Sequence, residues 1–203
     1  MNIPLSSLNV PLSKNYNKIT ILDLIRFTPG GISRVEIARR MGLTRAAVTT
    51  IVSDLMETGV IREAESLSVR NGRPPVVLEI NPALGYVIGI DFGATHIHLL
   101  LADLGARIHE EIESEFDIQL GPGAGLAEAE NLVRLVLEKS DHSINQVLAI
   151  GLGVPGPILT DAGTVIAPPI MPGWDGYPIR DTLENLWGLP VSLNNDAELG
   201  VLG

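Results

Sequence analysis

Apolar side chains recur at helical spacing in three segments of the first sixty residues. The first segment is residues 16–28, and a Pro-Gly-Gly sequence ends it. The second begins at Ser33, where Ser-Arg-Val-Glu is a capping-box pattern, and runs to Met41. The third extends from Thr44 to about Thr58, and the glycine after it suits a left-handed helix cap. Three helices are therefore predicted, the last two joined by a short turn.

The second and third predicted helices, joined at Gly42, have the arrangement of a helix-turn-helix. The third helix presents small and hydroxyl-bearing residues near its N-terminus, where a recognition helix meets the edges of the bases. The residues that we predict to face DNA there are Arg45, Ala46, Thr49 and Thr50. A plain three-helix bundle with a solvated face has the same periodicity, so the helices alone leave both interpretations open.

A predicted hairpin follows the three helices. Residues 60–65 and 76–80 are predicted strands, and a basic loop at 66–75 joins them. The loop contains Arg70 and a Gly-Arg-Pro sequence at Arg73, so the hairpin resembles the wing of a winged helix-turn-helix. An arginine at such a tip suits the narrow minor groove, where the negative potential of DNA is strongest. A solvated turn is the alternative, but the adjacent helix pair favours DNA contact.

After residue 84 the pattern changes to one of strands and helices. The predicted elements are strands at 85–91, 95–103, 106–116, 147–153 and 191–193, a loop at 121–125, and helices at 126–140, 180–187 and from Asp196. The strand at 147–153 is entirely apolar, which predicts burial on both faces. This order predicts an α/β fold in which helices cover a mixed sheet.

Charge separates the two parts of the chain further. The 203 residues carry a net charge of −10, but the first eighty hold ten basic and seven acidic side chains, whereas the rest hold four and seventeen. An acidic surface repels phosphates, so a nucleic-acid surface is expected only in the first part. We therefore predict a loose arm at 1–15, a DNA-binding domain at 16–81 and a second domain at 82–203.

Composition also bears on the compartment. Cysteine is absent, which excludes disulfides and thiolate metal sites. The first residues lack the basic and then apolar sequence of a signal peptide, and charges interrupt every apolar stretch of membrane-spanning length. We therefore expect a cytoplasmic protein that has no membrane partner.

One acidic residue follows the junction of the two parts. The apolar run 87–90 ends in Asp91, and Phe-Gly-Ala-Thr after it forms a turn of small residues that contains Gly93 and Thr95. Glycine allows a close approach of the backbone, and the N–H groups of such turns suit phosphate oxygens. An ordinary hairpin turn is the alternative, and for this motif alone it is the better one.

Three further motifs follow this turn in order. They are Val-Pro-Gly-Pro at 154–157, Pro-Gly-Trp at 172–174 and Asn-Asp-Ala at 195–197. With the turn and the upstream winged helix, they make the chain similar to the ROK family, which groups sugar-responsive repressors with sugar kinases, and to its xylose-repressor-like branch. The resemblance runs from about Asn17 to the last residue. It implies the first half of a ribonuclease H-like domain of the actin and sugar-kinase type.

The resemblance implies roles for individual residues. In the family's kinases the Asp of Asn-Asp-Ala is the catalytic base, which corresponds to Asp196 and would accept the proton of a sugar hydroxyl. Gly156 and Asn195 would contact the sugar, and in a regulator without kinase activity Asn195 and Asp196 could still hold the effector sugar. The residues implied on the phosphate and Mg²⁺ side are Asp91, Gly93 and Thr95. Asp196 could also cap the last helix, and the two roles are compatible.

The chain departs from the family pattern in ways that weaken the kinase interpretation. Asn194 stands where the family often has an acid, and Ala94 replaces a glycine of the phosphate motif. The family's second half-domain, with its adenosine site, most of its dimer contacts and a Cys/His zinc site, has no counterpart in these residues. We therefore expect a fragment or a truncated product that has no metal site of its own.

Histidines and tryptophans are the remaining candidates. His96 and His98 share a strand face, but no third metal ligand is evident, so a polar sheet face is preferred. His109 and His142 are predicted at the surface. Both tryptophans are predicted to pack in the core, although Trp174 could instead stack on a sugar ring.

The leading hypothesis is a sugar-responsive repressor of carbohydrate metabolism genes. It implies operator DNA and an effector sugar as partners, a homo-oligomer in the full-length form, and no cofactor for DNA binding. The alternative is an ATP- and Mg²⁺-dependent sugar kinase that carries a DNA-binding domain and uses Asp196 as its base. A third possibility is a truncated DNA-binding product that has no sugar response.

Overall fold

The computed structural model describes residues 12–65 and 76–195. The chain divides into two compact units, Met1–Leu84 and Gly85–Gly203. The first unit is helical with a small sheet, and the second contains a larger sheet with helices. The predicted α/β class with two different parts is confirmed. No helix in the described ranges is both long and apolar enough to cross a membrane.

Three helices dominate the first unit: α1 (Leu12–Arg26), α2 (Arg34–Met41) and α3 (Arg45–Glu57). They correspond to the three predicted helices, although α1 begins and ends earlier than expected. Gly30 and Gly31 after α1 have φ of 77° and 80°, a left-handed conformation that glycine adopts without strain. The Pro-Gly-Gly sequence therefore redirects the chain towards α2.

Side-chain caps define the starts of α2 and α3. Ser33 Oγ accepts a hydrogen bond from the backbone N–H of Glu36, and Thr44 Oγ1 accepts one from Ala47, both at 3.2 Å. Gly42 between the helices has a φ of 64°, which lets the chain turn sharply. The geometry of the helix-turn-helix thus follows from two caps and one glycine, all visible in the sequence.

Two antiparallel strands complete the first unit. β1 (Ile61–Glu65) pairs with β2 (Val76–Ile80), as predicted. Leu78 also exchanges two backbone hydrogen bonds, of 2.9 and 3.2 Å, with Ile32, which ties the segment before α2 to this sheet. The core beneath consists of Ile21, Ile25, Ile32, Ile37, Ala38, Val48, Val52, Leu55, Ile61 and Leu78.

The described part of the second unit contains seven strands and two helices. They are β3 (Tyr86–Phe92), β4 (His96–Asp103), β5 (Ile108–Glu115), α4 (Pro122–Ser140), β6 (Val147–Val154), β7 (Ile158–Leu159), β8 (Thr164–Val165), α5 (Ile179–Trp187) and β9 (Val191–Asn195). Five strands form one sheet in the order β5-β4-β3-β6-β9, and β7 and β8 form a separate hairpin. β3, β6 and β9 are parallel, whereas β4 and β5 are antiparallel, so the sheet is mixed as predicted.

Alternation along the strands decides which face of the sheet is buried. Ile88, Ile90 and Phe92 of β3 are buried, and the positions between them are half-buried. The buried stripe of α4 belongs to the same hydrophobic cluster. One face of the sheet therefore forms the core of this unit, and α4 covers it.

Three elements differ from the predicted ones. Residues 121–125, predicted as a loop, contain the first turn of α4, because Pro122 starts a helix where its missing N–H is not needed. β9 continues to Asn195 beyond the predicted 191–193. The hairpin of β7 and β8 was not predicted, because strands of two residues are too short to show a period.

The two histidines predicted at the surface pack against one tyrosine. The ring of Tyr86 lies 4.1 Å from that of His142 and 5.1 Å from that of His109, measured between centroids. His109 Nε2 also lies 3.2 Å from Asp103 Oδ2. Burial raises the pKa of Asp103, but hydrogen bonds from His109 and from two backbone N–H groups outweigh it, and the pKa is lowered. The histidines therefore have a packing role at the start of β3.

Trp174 anchors the loop that precedes α5. Its side chain is completely buried, and Nε1–H donates to Ile118 O at 3.3 Å. The ring packs edge-on against Phe92 at 5.5 Å and faces the first turn of α4 at Gly125. The packing prediction for Trp174 is confirmed, and the alternative of sugar stacking is wrong, because the ring has no exposed face.

Gly125 permits this contact, which can be tested by adding one methyl group. A Cβ at Gly125 would lie 2.9 Å from Cζ2 of Trp174 and 3.1 Å from Cε1 of Phe92. Gly125→Ala is therefore expected to lower the free energy of unfolding by about 1–3 kcal/mol through overpacking. Urea unfolding followed by tryptophan fluorescence measures the change.

Gly123→Ala in the same helical turn is the matched control. A Cβ there meets nothing within 4 Å. The substitution should be neutral or should stabilise the protein by up to about 1 kcal/mol, because alanine is the better helix former. Equal unfolding free energies for the two variants would contradict the packing assigned to Gly125.

Candidate functional site

The outward face of α3 is a surface of small and polar side chains. Arg45, Ala46, Thr49 and Thr50 are exposed, whereas Val48 is buried on the opposite side. The hydroxyl of Thr49 donates to Arg45 O at 2.8 Å, and that of Thr50 donates to Ala46 O at 3.2 Å. Each hydroxyl oxygen retains acceptor capacity for a base or a water. The four predicted DNA-facing residues therefore share one surface.

Arg45 differs from the other basic side chains described in the first unit. Five ion pairs occupy most of these: Lys18–Asp54, Arg34–Glu63, Arg39–Glu36, Arg40–Glu36 and Arg62–Glu79. Arg26 lies over the ring of Phe27, 5.1 Å from its centroid. Among the described side chains of the first unit, Arg45 is the one arginine that has neither a carboxylate nor a ring partner. Its charge is therefore available to a ligand.

The position of Arg45 is not explained by helix stability. It is the first residue of α3, and the N-terminal end of a helix carries partial positive charge. A cation there is disfavoured, whereas an anion bound by that cation would be favoured. The exposed arginine and the helix terminus therefore point to a partner that supplies negative charge.

Glu36 holds two arginines of α2. Its carboxylate accepts hydrogen bonds from Arg39 Nε at 2.8 Å and from Arg40 Nε at 2.7 Å. The bond from Arg39, followed by that from Arg40, lowers the pKa of Glu36 from 4.5 to about 2. The three side chains together therefore keep one net positive charge at neutral pH.

The two arginines predicted at the wing tip, Arg70 and Arg73, lie outside the described residues. The strands that carry their loop are described, and they end opposite each other at Glu65 and Val76. The contact of the two arginines with DNA stays a prediction.

A second candidate site lies at the carboxyl ends of the three parallel strands. The register places Asp91 of β3 beside Gly153 of β6, and Gly153 beside Asn194 of β9. Adjacent strands are about 4.8 Å apart, so the backbones of Asp91 and Asn194 are separated by about 10 Å. Ligands of open α/β sheets bind outside this end of the strands. The fold therefore brings Asp91 and the Asn-Asn sequence to one edge.

The turn after Asp91 is closed by its own contacts. Gly93 N–H donates to His96 O at 2.9 Å, and a Cβ at Gly93 would lie 2.6 Å from Cε1 of His96. The imidazole occupies the space that a Cβ at position 93 would take, so a larger residue there would displace the His96 ring. Thr95 in the same turn is exposed. The phosphate and Mg²⁺ roles of Asp91, Gly93 and Thr95 stay predictions.

Two residues predicted to contact a sugar meet directly. Nδ2 of the half-buried Asn195 donates to Gly156 O at 2.7 Å, across 39 positions of the sequence. Gly156 has a φ of 146°, and a Cβ there would lie 3.2 Å from both Pro168 Cβ and Val165 Cγ1. The backbone conformation therefore favours glycine, and a Cβ would also crowd these two neighbours. The hydrogen bond joins the end of β9 to the Val-Pro-Gly-Pro loop.

Asp196, the predicted catalytic base of the kinase alternative, lies outside the described residues. Its role therefore stays a prediction. Within the described ranges, no group of three or more His, Asp or Glu side chains is placed to hold a metal ion.

The structure adds one residue that the sequence analysis missed. Asp175 Oδ1 accepts a hydrogen bond from Ala167 N–H at 2.6 Å, next to the segment that contacts Gly156. An exposed Asp in a Pro-Gly-Trp-Asp-Gly loop is unremarkable as a pattern, because such loops often carry Asp for turn formation. What distinguishes Asp175 is that its partner, Ala167, has a positive φ of 41°, which the sequence does not show.

Comparison with known protein families covers both units. A profile described as winged helix-turn-helix DNA-binding matches residues 14–62, and that of the ROK family matches residues 87–203, more than half of the chain. The chain belongs to the ROK family. The resemblance inferred from the four motifs is thereby confirmed.

Curated relatives of this ROK protein include repressors. The xylose repressor of Caldicellulosiruptor bescii is 32% identical, and the alignment covers 96% of this chain and 48% of the relative. The xylose repressor of Bacillus subtilis is 26% identical over 95% of this chain and 49% of its own length. The chain therefore spans about half the length of the curated relatives it matches.

A solved structure shares the fold. The crystal structure of a ROK family transcriptional regulator, a homologue of the E. coli MLC protein, superposes with a TM-score of 0.70 at 21% identity. The match covers 91% of this chain and 46% of the other. It shows that a ROK regulator has the same fold over nearly the whole of this chain.

The arginine pair on Glu36 predicts a titration. The carboxyl of Glu36 should titrate near pH 2, against an ordinary value of 4.5. Because its folded pKa is the lower one, the cluster stabilises the first unit above about pH 4.5 and loses this contribution as the pH falls towards 2. NMR of the Glu36 carboxyl measures the midpoint.

The double variant Arg39→Ala/Arg40→Ala tests the cause of that shift. The midpoint should return towards 4.5, because the two hydrogen bonds and charges that favour the ionised form are gone. A midpoint that stays near 2 in the variant would mean that another group holds Glu36 ionised.

Proposed function

We propose that this ROK protein is a sugar-responsive transcription regulator of the repressor type, which binds operator DNA through α3. The observation that carries the proposal is Arg45, an exposed arginine on the first turn of α3 without a carboxylate partner among the described side chains. A guanine edge or a phosphate would supply its acceptor. The small neighbours Ala46, Thr49 and Thr50 allow the helix to approach the floor of the major groove.

Charge supports DNA contact by the first part of the chain alone. Its first eighty residues have an excess of basic side chains, whereas the rest is strongly acidic. We assign the arm to residues 1–15, the DNA-binding domain to 16–81 and the effector-binding domain to 82–203. In this assignment Arg70 and Arg73 extend the contact into the minor groove.

The effector is assigned to the carboxyl edge of β3, β6 and β9. Asn195 and Asp196 would supply an amide and a carboxylate, which suit a sugar because its hydroxyls both donate and accept hydrogen bonds. The Gly156 loop adjoins the same edge through its bond to Asn195. The names of the repressor relatives make xylose the first sugar to test.

Regulation requires two coupled sites. We infer that the full-length protein is a cytoplasmic homo-oligomer in which sugar binding alters the spacing of paired winged helices. Operator half-sites have fixed spacing, so a small rotation is enough to change DNA affinity. DNA binding needs no cofactor in this mechanism. ATP and Mg²⁺ enter only in the kinase alternative, which depends on Asp196.

Arg45→Ala should weaken operator binding by about ten- to a hundredfold, since one good arginine contact to a base is worth about 1–3 kcal/mol. The salt dependence should fall slightly if the contact is to a phosphate. Fluorescence anisotropy with a labelled operator at two salt concentrations measures both quantities.

Arg134→Ala is the matched control for Arg45→Ala. Arg134 is an exposed arginine on α4, and it pairs with Glu138 at 3.0 Å. The variant removes the same unit of charge from the acidic part of the chain. It should bind the operator as the parent does. Equal losses in both variants would point to net charge and contradict the role of α3.

Sugar response is tested by titration of the protein–operator complex with D-xylose, D-glucose and N-acetyl-D-glucosamine. One of these should change operator affinity by about 5- to 150-fold, the usual range of coupling between two sites. Unchanged affinity with every sugar would remove the effector part of the proposal and leave DNA binding to stand alone.

A further inference from the structure

The loop between β6 and α5 contains one strained residue. Ala167 has a φ of 41°, in the left-handed region of backbone conformation that residues other than glycine rarely adopt. Pro168 follows it and restricts its backbone further. Two other described non-glycine residues, Ala106 and Asp141, have positive φ, but one lies in the turn between β4 and β5 and the other caps α4. Ala167 lies in an irregular segment where no regular element imposes such a conformation.

Asp175 holds this residue in place. Its Oδ1 accepts the hydrogen bond from Ala167 N–H at 2.6 Å, and an ionised acceptor makes such a bond short and strong. The backbone of Asp175 forms a parallel bridge with Val165, and Gly176 N–H donates to Val165 O at 3.0 Å. The buried Trp174 immediately before it fixes the position of this strand-like segment. The carboxylate therefore reaches Ala167 from a rigid support.

The strained segment forms one wall of the Gly156 loop. Pro168 Cβ and Val165 Cγ1 both lie 3.2 Å from the place that a Cβ of Gly156 would occupy. Ile166 N–H donates to Pro157 O at 2.9 Å, which joins the same two segments. Asn195 Nδ2, at the end of β9, donates to Gly156 O. A change in the backbone of Ala167 would therefore move Pro168 relative to Gly156.

We propose that Asp175 is a positioning residue for effector binding. Its carboxylate keeps Ala167 in the left-handed conformation, and this conformation sets Pro168 against Gly156 and gives the loop its binding shape. Asp175 acts through Ala167 and has no contact with the sugar. The inference rests on the proposed function, because it takes the Gly156 loop as part of the effector site.

Backbone strain gives a test that distinguishes this role from a general effect on stability. Asp175→Ala removes the acceptor, so Ala167 should relax and the loop should lose its shape. Adding Ala167→Gly should restore the loop, because glycine adopts a φ of 41° without the carboxylate. Asp175→Asn keeps an oxygen acceptor and should retain most of the parent behaviour. Asp161→Ala, which removes another exposed Asp from the adjacent hairpin turn, is the matched control.

The first measurement is hydrogen exchange at Ala167 N–H in the full chain, without sugar or DNA. Asp175→Ala should exchange this amide about tenfold or more faster than the parent, since its acceptor is lost. Asp161→Ala should exchange it at the parent rate. Parent-like exchange in Asp175→Ala would overturn the assignment whatever the effector does.

The second measurement is the sugar concentration at which half of the protein–operator complex has dissociated, with D-xylose as the first sugar tested. Asp175→Ala should raise this concentration by about tenfold, because one charge-assisted hydrogen bond is lost. The double variant should return towards the parent value. Operator affinity without sugar should not change in any variant. A parent-like midpoint in Asp175→Ala, or a double variant no better than the single one, would overturn the positioning role. If no sugar dissociates the complex of the parent protein with the operator, the proposed function fails, and the effector role of Asp175 fails with it. Faster exchange of Ala167 N–H in Asp175→Ala would still support the contact between Asp175 and Ala167.

Discussion

The parallel pairing of β3, β6 and β9 is the constraint on which the second unit depends. It brings the carboxyl ends of three strands to one edge, with Asp91, Gly153 and Asn194 in register. The segments that follow these strands therefore emerge side by side, although they are far apart in sequence. A shift of one residue in any strand would turn its side chains to the opposite face and remove them from this row. The row of polar and small residues is thus a product of the same register that buries Ile88, Ile90 and their neighbours.

The loops at this edge are held by a few long-range contacts. Trp174 is buried against Phe92 and donates to Ile118 O, so the segment before α5 cannot move away from the sheet without exposing a large ring. Asn195 joins β9 to Gly156, and Asp175 joins the Trp174 segment to Ala167. These contacts carry the rigidity of the sheet into irregular backbone, which is what a selective site for a small polar ligand requires.

Different physics shapes the first unit. Its three helices are defined by caps and by one glycine turn, and its core is small and apolar. Five ion pairs neutralise most of the basic side chains described there, whereas Arg45 is left uncompensated at a helix terminus that disfavours cations. Selection for stability alone would not favour that placement. Selection for an anionic partner would.

The sequence predicts much of this architecture, because much of it is local. Helical periodicity, the Ser33 and Thr44 caps and the apolar run of β6 identified most elements. The contacts that shape the loops could not be predicted from the sequence. The bond from Asn195 to Gly156 and the contact of Trp174 with Ile118 join residues whose proximity only the folded register creates. The strain at Ala167 is likewise invisible in sequence, since an alanine before a proline predicts extended backbone and not a positive φ.

Selection of binding sites from a random duplex library, followed by methylation interference, tests DNA recognition by α3 most directly. The account predicts enrichment of a two-fold symmetric sequence whose half-sites lie about one helical turn, or a multiple of it, apart. It also predicts that modification of guanine N7 in the major groove of each half-site blocks binding by the parent protein. Enrichment of no sequence, or affinity for the enriched sequence that is unchanged by the loss of the Arg45 side chain, would contradict the account.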